Sequence, residues 1–353
     1  MNMEDGNTSF GAFLDTLKYL IRRPCVVGAE HSFFLTLKRE LDELGIETTL
    51  YEGLLVAKGR RPDAGTLSAH IDRHGLICTG PNEFQYAAFL TQNRADLIGN
   101  SVAEQTLSTI SARFAHQPVQ AYDPWSGAYL GLGDIENAYI CPRRNNLIFE
   151  VKGLEYLIPG TPVAYVDTLK RREGLLSAQL DNVISAAVIL HLYRCGYEGT
   201  AFFTAQEEAG KSWRFVLEWY RRFDRTTDRL LVLDTSPFPD RAEADAQDLV
   251  LRFRDANAAF NSEFTHEIAQ RCDRLGIRYR FKDRFIEMQN EKAVALGGAA
   301  ASLGSTEMGR LAAEGSLQGT TLQLPTTGYH TASESVRTEA VRKLLQLLYD
   351  LYL

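Results

Sequence analysis

The chain has 353 residues, 45% hydrophobic and 24% charged, which suits a soluble globular protein with a real core and room for two or more domains. Its formal net charge is -7, and RRPDAG at 60–65 and KRREG at 170–174 are too short to act as basic patches, so nucleic acid is excluded as a partner. No apolar run reaches the roughly 18 residues of a membrane span and Met1 to Phe10 does not resemble a signal peptide; the expected location is cytoplasmic.

In chain order, Phe10, Phe13, Leu14, Leu17, Leu20 and Ile21 fall at helical spacing over 9–22. A second helix is expected over 32–44, with Gly45 as its stop. Strands are expected over 47–57 (ETTLYEGLLVA) and 66–72 (TLSAHID). From 79 to 170 the texture changes to short β-like runs, QPVQAY at 117–122, NNLIFEV at 145–151 and PVAYVD at 162–167, separated by turns rich in Gly, Pro and Asn. One helix-like piece over 102–114 is expected to decorate this all-β segment. The α/β rhythm then resumes with helix 185–195, strand 200–205, helix 213–223, strand 229–234, helix 258–275, strand 277–281, strand 320–324 and helix 335–352.

The economical reading is one α/β sandwich, residues 1–78 and 171–353, interrupted by a smaller β domain at 79–170. The cysteines, Cys25, Cys78, Cys141, Cys195 and Cys272, are scattered and form no Cys-x-x-Cys pair, so neither a disulfide framework nor a thiolate zinc site is indicated.

Several polar residues fall just past apolar strands, where an open α/β sheet places its ligands: His70 and Asp72 in SAHID, Asp181 in SAQLDN, Glu207 and Glu208 in TAQEEAG, Asp234 in VLDTS and His330 in PTTGYHTASES. Singly, each has a plainer reading; Asp181, for instance, could cap the helix expected near Ser185. Together, two imidazoles and several carboxylates make a nitrogen-and-oxygen site suited to zinc, cobalt or manganese. A metal site that activates water also needs a base that is not a ligand, and two adjacent glutamates suit that division of labour.

HID at 70–72, LD at 180–181, QEEAG at 206–210, LDTS at 233–236 and PTTGYHTASE at 325–334, in this order, resemble the M42 family of dinuclear metallo-aminopeptidases, relatives of the M18, M20 and M28 peptidases. The resemblance implies a mixed-sheet α/β/α sandwich of the zinc-peptidase type with an inserted β domain used for oligomerisation. It implies two divalent ions per subunit, zinc first, with cobalt or manganese as the other candidates. His70 and Asp234 would hold one ion, Glu208 and His330 the other, and Asp181 would bridge them. Asp72 would orient the His70 ring, and Glu207 would be the general base toward a metal-bridging hydroxide. The substrate would be a peptide with a free N-terminus, and the assembly a homo-oligomer, up to a dodecamer built from dimers.

The chain departs from the family pattern around these residues. Arg73-His74-Gly75 stands where Glu-Ile-Gly is usual, Asn182-Val183 where Asp-Arg is usual, and Lys211-Ser212-Trp213 follows Gly210. Thr327-Gly328 replaces the arginine before Tyr329, and Ser305-Thr306-Glu307 stands for the Gly-Thr-Asp element. His74, two residues after Asp72, is a candidate extra polar group in the pocket, with a place at the surface or behind the ligands as the expected reading. These changes leave open an amidohydrolase or deacylase acting on a small N-acyl substrate, and, as a different class, a catalytically idle oligomeric scaffold. Trp213, Trp219 and Tyr220 are expected in core or subunit contacts, and Gly297-Gly298 in close packing against a neighbouring element rather than in a nucleotide loop. Cys78 has no histidine partner that would make it a nucleophile.

Overall fold

A computed structural model of the chain describes residues 3–92, 104–141 and 146–353. Helices α1 (Met3–Ile21) and α2 (His31–Glu43) open it. Phe10, Phe13, Leu17 and Leu20 of the first, and Phe34, Leu37 and Leu41 of the second, recur every three or four residues and are buried as stripes. The apolar run over 47–57 is a hairpin rather than one strand. Strands β1 (Glu47–Tyr51) and β2 (Leu54–Lys58) pair antiparallel, and Gly53 at φ 70° supplies the reversal. Strand β3 (Thr66–His70) follows.

Strands β4 (Leu76–Gly80), β5 (Glu83–Tyr86), β6 (Pro118–Tyr122), β7 (Tyr129–Cys141), β8 (Asn146–Lys152) and β9 (Pro162–Tyr165) close into a barrel in the order β4-β5-β8-β7-β6-β9. Helices α3 (Ala87–Thr91) and α4 (Glu104–Phe114) lie within this segment; residues 102 and 103 of the expected helix, and residue 145 of an expected strand, lie outside the described residues. Phe84, Phe114, Tyr122, Phe149 and Tyr165 fill the barrel's core, Phe114 stacking on Tyr165 at 4.9 Å between ring centroids.

The remainder runs β10 (Lys170–Arg172), β11 (Leu175–Ala178), α5 (Val183–Arg194), β12 (Thr200–Thr204), α6 (Ser212–Arg222), β13 (Thr227–Pro237), α7 (Arg241–Asp245), β14 (Leu249–Leu251), α8 (Ser262–Leu275), β15 (Tyr279–Phe281), α9 (Lys282–Ala295), α10 (Glu307–Ala313), β16 (Leu317–Thr326), β17 (Glu334–Arg337) and α11 (Thr338–Tyr352). The helix expected from 258 starts at Ser262, because the Asn261 side chain accepts the Phe264 N–H at 3.0 Å and caps it there. The terminal helix starts at Thr338 rather than 335, because residues 334–337 pair with β11 as a strand. Gly297-Gly298 is exposed and not packed against a neighbour; it turns the chain off the end of α9, Gly297 donating to the Val294 carbonyl at 2.9 Å.

The main sheet has the order β1-β2-β12-β3-β13-β16-β14-β15. Its centre, β12, β3, β13 and β16, is parallel, and the strands are buried along nearly their whole length, as expected of a sheet covered on both faces. Alternation sorts the side chains into layers. Leu67, Ala69, Ala201, Phe203, Leu231 and Leu233 meet α1, α2, α5, α8 and α11 on one face. Val56, Phe202, Leu230 and Val232 meet α6 and α10 on the other. Trp219 and Tyr220 are core on that second face, with Trp219 edge-on to Phe202 at 4.9 Å. The result is a mixed α/β/α sandwich with a closed β-barrel subdomain. Among the described residues, no helix is long and apolar enough to cross a membrane.

Candidate metal centre

Parallel pairing aligns the carboxyl ends of the central strands. Thr204, the last residue of β12, is opposite His70, the last of β3. The chain leaves β12 directly into Glu207 and Glu208, while Asp234 lies near the end of the adjacent β13. Asp181 comes from the loop between β11 and α5, and His330 from the loop between β16 and β17. All the predicted ligands therefore meet at one edge of the sheet.

With His74 joining them, they fall into two groups, each with one donor atom per residue within 4.8 Å of the others: His70, Asp181 and Asp234, and His74, Glu208 and His330. In the first, His70 Nε2 is 3.2 Å from Asp181 Oδ1 and 3.5 Å from Asp234 Oδ1. In the second, His74 Nε2 is 2.9 Å from Glu208 Oε2, and His330 Nε2 is 3.5 Å from Glu208 Oε1. Asp181 faces both groups, its other oxygen lying 3.7 Å from His330 Nε2. It does not cap α5: the cap position is Asn182, whose side chain donates to the Leu233 carbonyl at 2.9 Å.

Asp72 is fully buried behind the pair of glutamates. Its two oxygens accept the backbone N–H groups of Glu207 and Glu208, each at 3.0 Å, and Oδ1 lies 3.5 Å from His70 Nδ1. Glu334 does the same for the opposite wall. One oxygen accepts the N–H groups of Leu180 and Asp181 at 2.7 and 2.8 Å, and the other accepts that of His330 at 2.6 Å. His330 and Gln206 both hold positive φ, 59° and 62°, a conformation costly for such residues unless the surroundings impose it. Below the site, Glu307 of α10 accepts from Ser68 of β3 at 2.5 Å and Thr204 of β12 at 2.8 Å, joining the strands that carry His70 and the glutamates.

The electrostatics of so many acids in one buried place are unfavourable without a cation. Burial pushes the pKa of Glu207 well up; His70 offsets part of this, and Glu208 and Asp234 add to it. Burial, then the Asp181 charge, does the same to Glu208. Burial also raises Asp234, against the pull of His70. Burial would lower His70, but the surrounding carboxylates of Asp181, Asp234 and Asp72 hold it well above its usual value. His330 is driven well below its usual value by burial and by His74 and Arg113, and His74 is pushed down to about 3 by burial, with Asp181 opposing and Arg113 assisting. His74 and His330 are thus favoured as neutral imidazoles beside crowded carboxylates, the form a divalent ion requires, while His70 in the metal-free fold takes the place of a cation among its acids. Asp181 Oδ1 is buried yet makes no hydrogen bond, as fits an oxygen whose partner is a cation. The donor set fits two such ions.

Most of the departures point elsewhere. Arg73 is buried against the Ile21 and Arg23 carbonyls and pairs with Asp167 at 3.8 Å; Lys211 donates to the Thr91 carbonyl. Thr327 bonds the Ser335 hydroxyl at 2.9 Å. Cys78 is buried, its thiol 3.4 Å from the Gly80 and Leu157 carbonyls. His74 is the exception: it is buried rather than at the surface, and its ring lies among the possible donors. The signal was its position, four residues after His70. Glu334 and Glu307 were within motifs already singled out, but nothing local revealed which amides and hydroxyls they hold. Arg113 of α4 was not anticipated; its Nη1 lies 3.5 Å from His330 Nδ1.

No protein-family model and no curated protein sequence matches the chain. Solved structures do. A TET aminopeptidase from a marine-sediment Thaumarchaeota archaeon superposes with a TM-score of 0.70 at 14% identity, over 97% of this chain and 96% of that one. An aminopeptidase from Desulfurococcus kamchatkensis gives 0.69 at 14% identity, over 96% and 94%. The TET1 peptidase of Pyrococcus horikoshii, which can assemble into a tetrahedron or a large octahedral shell, gives 0.67 at 17% identity, over 96% and 99%. At these identities the likeness is one of architecture: the chain shares the fold of these aminopeptidases, with two groups of possible metal ligands at the edge of its sheet.

Proposed function

We propose that the chain is a dinuclear metal-dependent aminopeptidase that removes N-terminal residues from peptides. The observation that carries this reading is the pair of ligand groups joined by Asp181, with the non-ligand Glu207 beside them, in the fold of known aminopeptidases. His70 and Asp234 would hold one ion, Glu208 and His330 the other, and Asp181 would bridge; zinc suits these donors best, with cobalt and manganese as alternatives. When bound, the two ions polarise the scissile carbonyl and acidify the attacking water.

Glu207 takes one proton from that water as its oxygen adds to the carbonyl carbon. It returns the proton to the amine nitrogen as the C–N bond breaks. Burial makes its carboxylate a stronger base than an exposed glutamate, which suits a group that must both take and give a proton. Asp72 acts through positions: it anchors the backbone of both glutamates and faces the His70 ring nitrogen away from the ligands.

The barrel segment, 79–170 as read from the sequence, is proposed as an oligomerisation domain. Trp125, Tyr129, Leu130, Leu132, Tyr139 and Ile140 are exposed on it, a density of apolar side chains that favours association. A dodecamer built from dimers follows by analogy with the structurally similar TET1 dodecamer of 17% identity. Cys25, Cys78 and Cys272 are buried thiols outside any disulfide, which favours a reducing compartment such as the cytoplasm.

The test is bound metal per subunit together with hydrolysis of unblocked peptides, on wild type and Glu207→Gln. Turnover by wild type, lost in the variant with both ions retained, supports the reading. Two ions without peptide turnover move it to a small-amide hydrolase, and no metal uptake at all leaves only an oligomeric scaffold.

A further inference from the structure

We infer that His74 is a third protein ligand of the second metal site, so that this ion is held by two imidazoles and a carboxylate, His74, His330 and Glu208. The inference rests on the metal-site reading proposed above and adds a residue to it. His74 is where the chain leaves the family pattern, so the ligand is a property of this sequence.

Three observations support it. The first is convergence: His74 Nε2 approaches Glu208 Oε2 at 2.9 Å, and the His74 and His330 rings lie 3.8 Å apart between centroids. The two buried imidazoles have their Nε2 atoms directed at the same carboxylate, His330 Nε2 lying 3.5 Å from Glu208 Oε1.

The second is the partner on the far side of the ring. His74 Nδ1 is 2.5 Å from the hydroxyl oxygen of Tyr86, the last residue of β5. When Nδ1–H donates to that oxygen, Nε2 carries the lone pair and faces Glu208. An outer partner that fixes tautomer and ring direction is the usual companion of a metal-bound histidine. The third is the backbone. The Gln179 side chain donates to the His74 carbonyl at 2.9 Å, and a Cβ at the neighbouring Gly75 would lie 2.7 Å from the Val163 carbonyl. The main chain is therefore wedged between β9 of the barrel and the loop that carries Asp181.

The plainer alternative is that His74 only donates Nε2–H to Glu208 and steadies it. The two differ in what a glutamine can replace, since an amide can donate that bond but is a poor ligand for zinc or cobalt. The added nitrogen should also bias the second site toward zinc and cobalt over manganese.

The experiment uses the full chain, stripped with a chelator and titrated with Zn²⁺ and with Co²⁺. Stoichiometry and the two dissociation constants are read by calorimetry, and the ligand field from the visible spectrum of the Co²⁺ form. Wild type should bind two ions. His74→Gln and His74→Ala should keep the first and weaken the second by about 100-fold or more, with changed Co²⁺ bands, and Tyr86→Phe should weaken it by about 10-fold. Wild-type affinity and spectrum in His74→Gln would overturn the inference while leaving the dinuclear site standing. Absence of any metal uptake by wild type would instead overturn the metal-site reading and this one with it. Should the His74 variants not fold, Tyr86→Phe decides: an unchanged second constant rejects the ligand role.

Discussion

Asp72 holds Glu207 by its backbone rather than its side chain, one carboxylate oxygen accepting the Glu207 N–H at 3.0 Å while the other accepts that of Glu208. The same acid lies 3.5 Å from His70 Nδ1. One fully buried residue thus sets the turn after β12 and faces the outward nitrogen of the imidazole at the end of β3. Asp72→Asn would point an N–H at a backbone N–H and lose half of that arrangement. Metal affinity is expected to fall by about 10–100-fold, with activity falling alongside. Affinity equal to wild type in a calorimetric titration would remove the orienting role from Asp72.

Glu207→Gln keeps the shape and the backbone bond and removes only the base. Turnover is expected to drop by about 10²–10⁴-fold with both ions retained. Parallel measurement of kcat and bound metal separates this from a ligand defect. Loss of an ion in the variant would reassign Glu207 as a ligand.

Glu334→Gln replaces an acceptor that serves three buried N–H groups. At least one of them would be left unpaired, a cost of about 1–3 kcal/mol. Urea denaturation of the chelated protein should show the loss. Since Asp181 and His330 are both positioned through this carboxylate, weaker metal binding should accompany it.

Metal removal should matter more at high pH. In the metal-free fold the pKa values of Glu207 and Glu208 are raised, burial being the main cause. Such acids keep protons that the unfolded chain has already released, so stability falls as pH rises above the ordinary carboxylate range toward the raised values. Bound cations offset that repulsion. The gap in Tm between loaded and chelated protein should widen from about pH 5 to about pH 8. A gap that narrows over the same range would contradict the assignment.

Lys282 offers a second pH test away from the metal ligands. Burial, with Arg252 and Arg280 adding and Glu243 opposing, pushes its pKa from 10.5 down to about 7. Its ammonium sits 3.4 Å from the centre of the Phe238 ring and donates to the Pro237 carbonyl at 2.5 Å. Between those two values the unfolded chain binds a proton that the native chain has lost, so this residue's penalty shrinks as pH rises through the window. Lys282→Met should flatten that part of the stability profile and raise stability below about pH 7. A profile with unchanged slope would show that the lysine stays charged in the fold.

The apolar run Thr200–Thr204 and the helical stripes of α1, α2 and α11 were legible because each is a local pattern, a short continuous run or a repeat of about 3.6 residues. The same holds for the metal donors, which sit immediately beyond apolar strands. Short elements were not legible. Strands β11 and β17 have four residues each and find one another across more than 150 positions, and nothing within either run announces the other. Their pairing places Ala178 opposite Glu334 and so brings the Asp181 and His330 loops under one carboxylate. The hairpin at 47–58 was hidden for a different reason, since both strands are apolar and only Gly53 marks the turn.

Motif order pointed to a class of chemistry: nitrogen and oxygen donors suited to divalent ions, with an adjacent acid left over. Which donors share an ion could not be read from it, because coordination depends on distances between loops that are remote in the chain. His74 makes the point. Four residues beyond His70, it reads along the sequence as no more than a candidate pocket group; the turn into β4 and the hydroxyl of Tyr86 set its ring against Glu208. Local patterns decide which residues stand at the sheet's edge; packing of the barrel against that edge decides which of them face the same point in space.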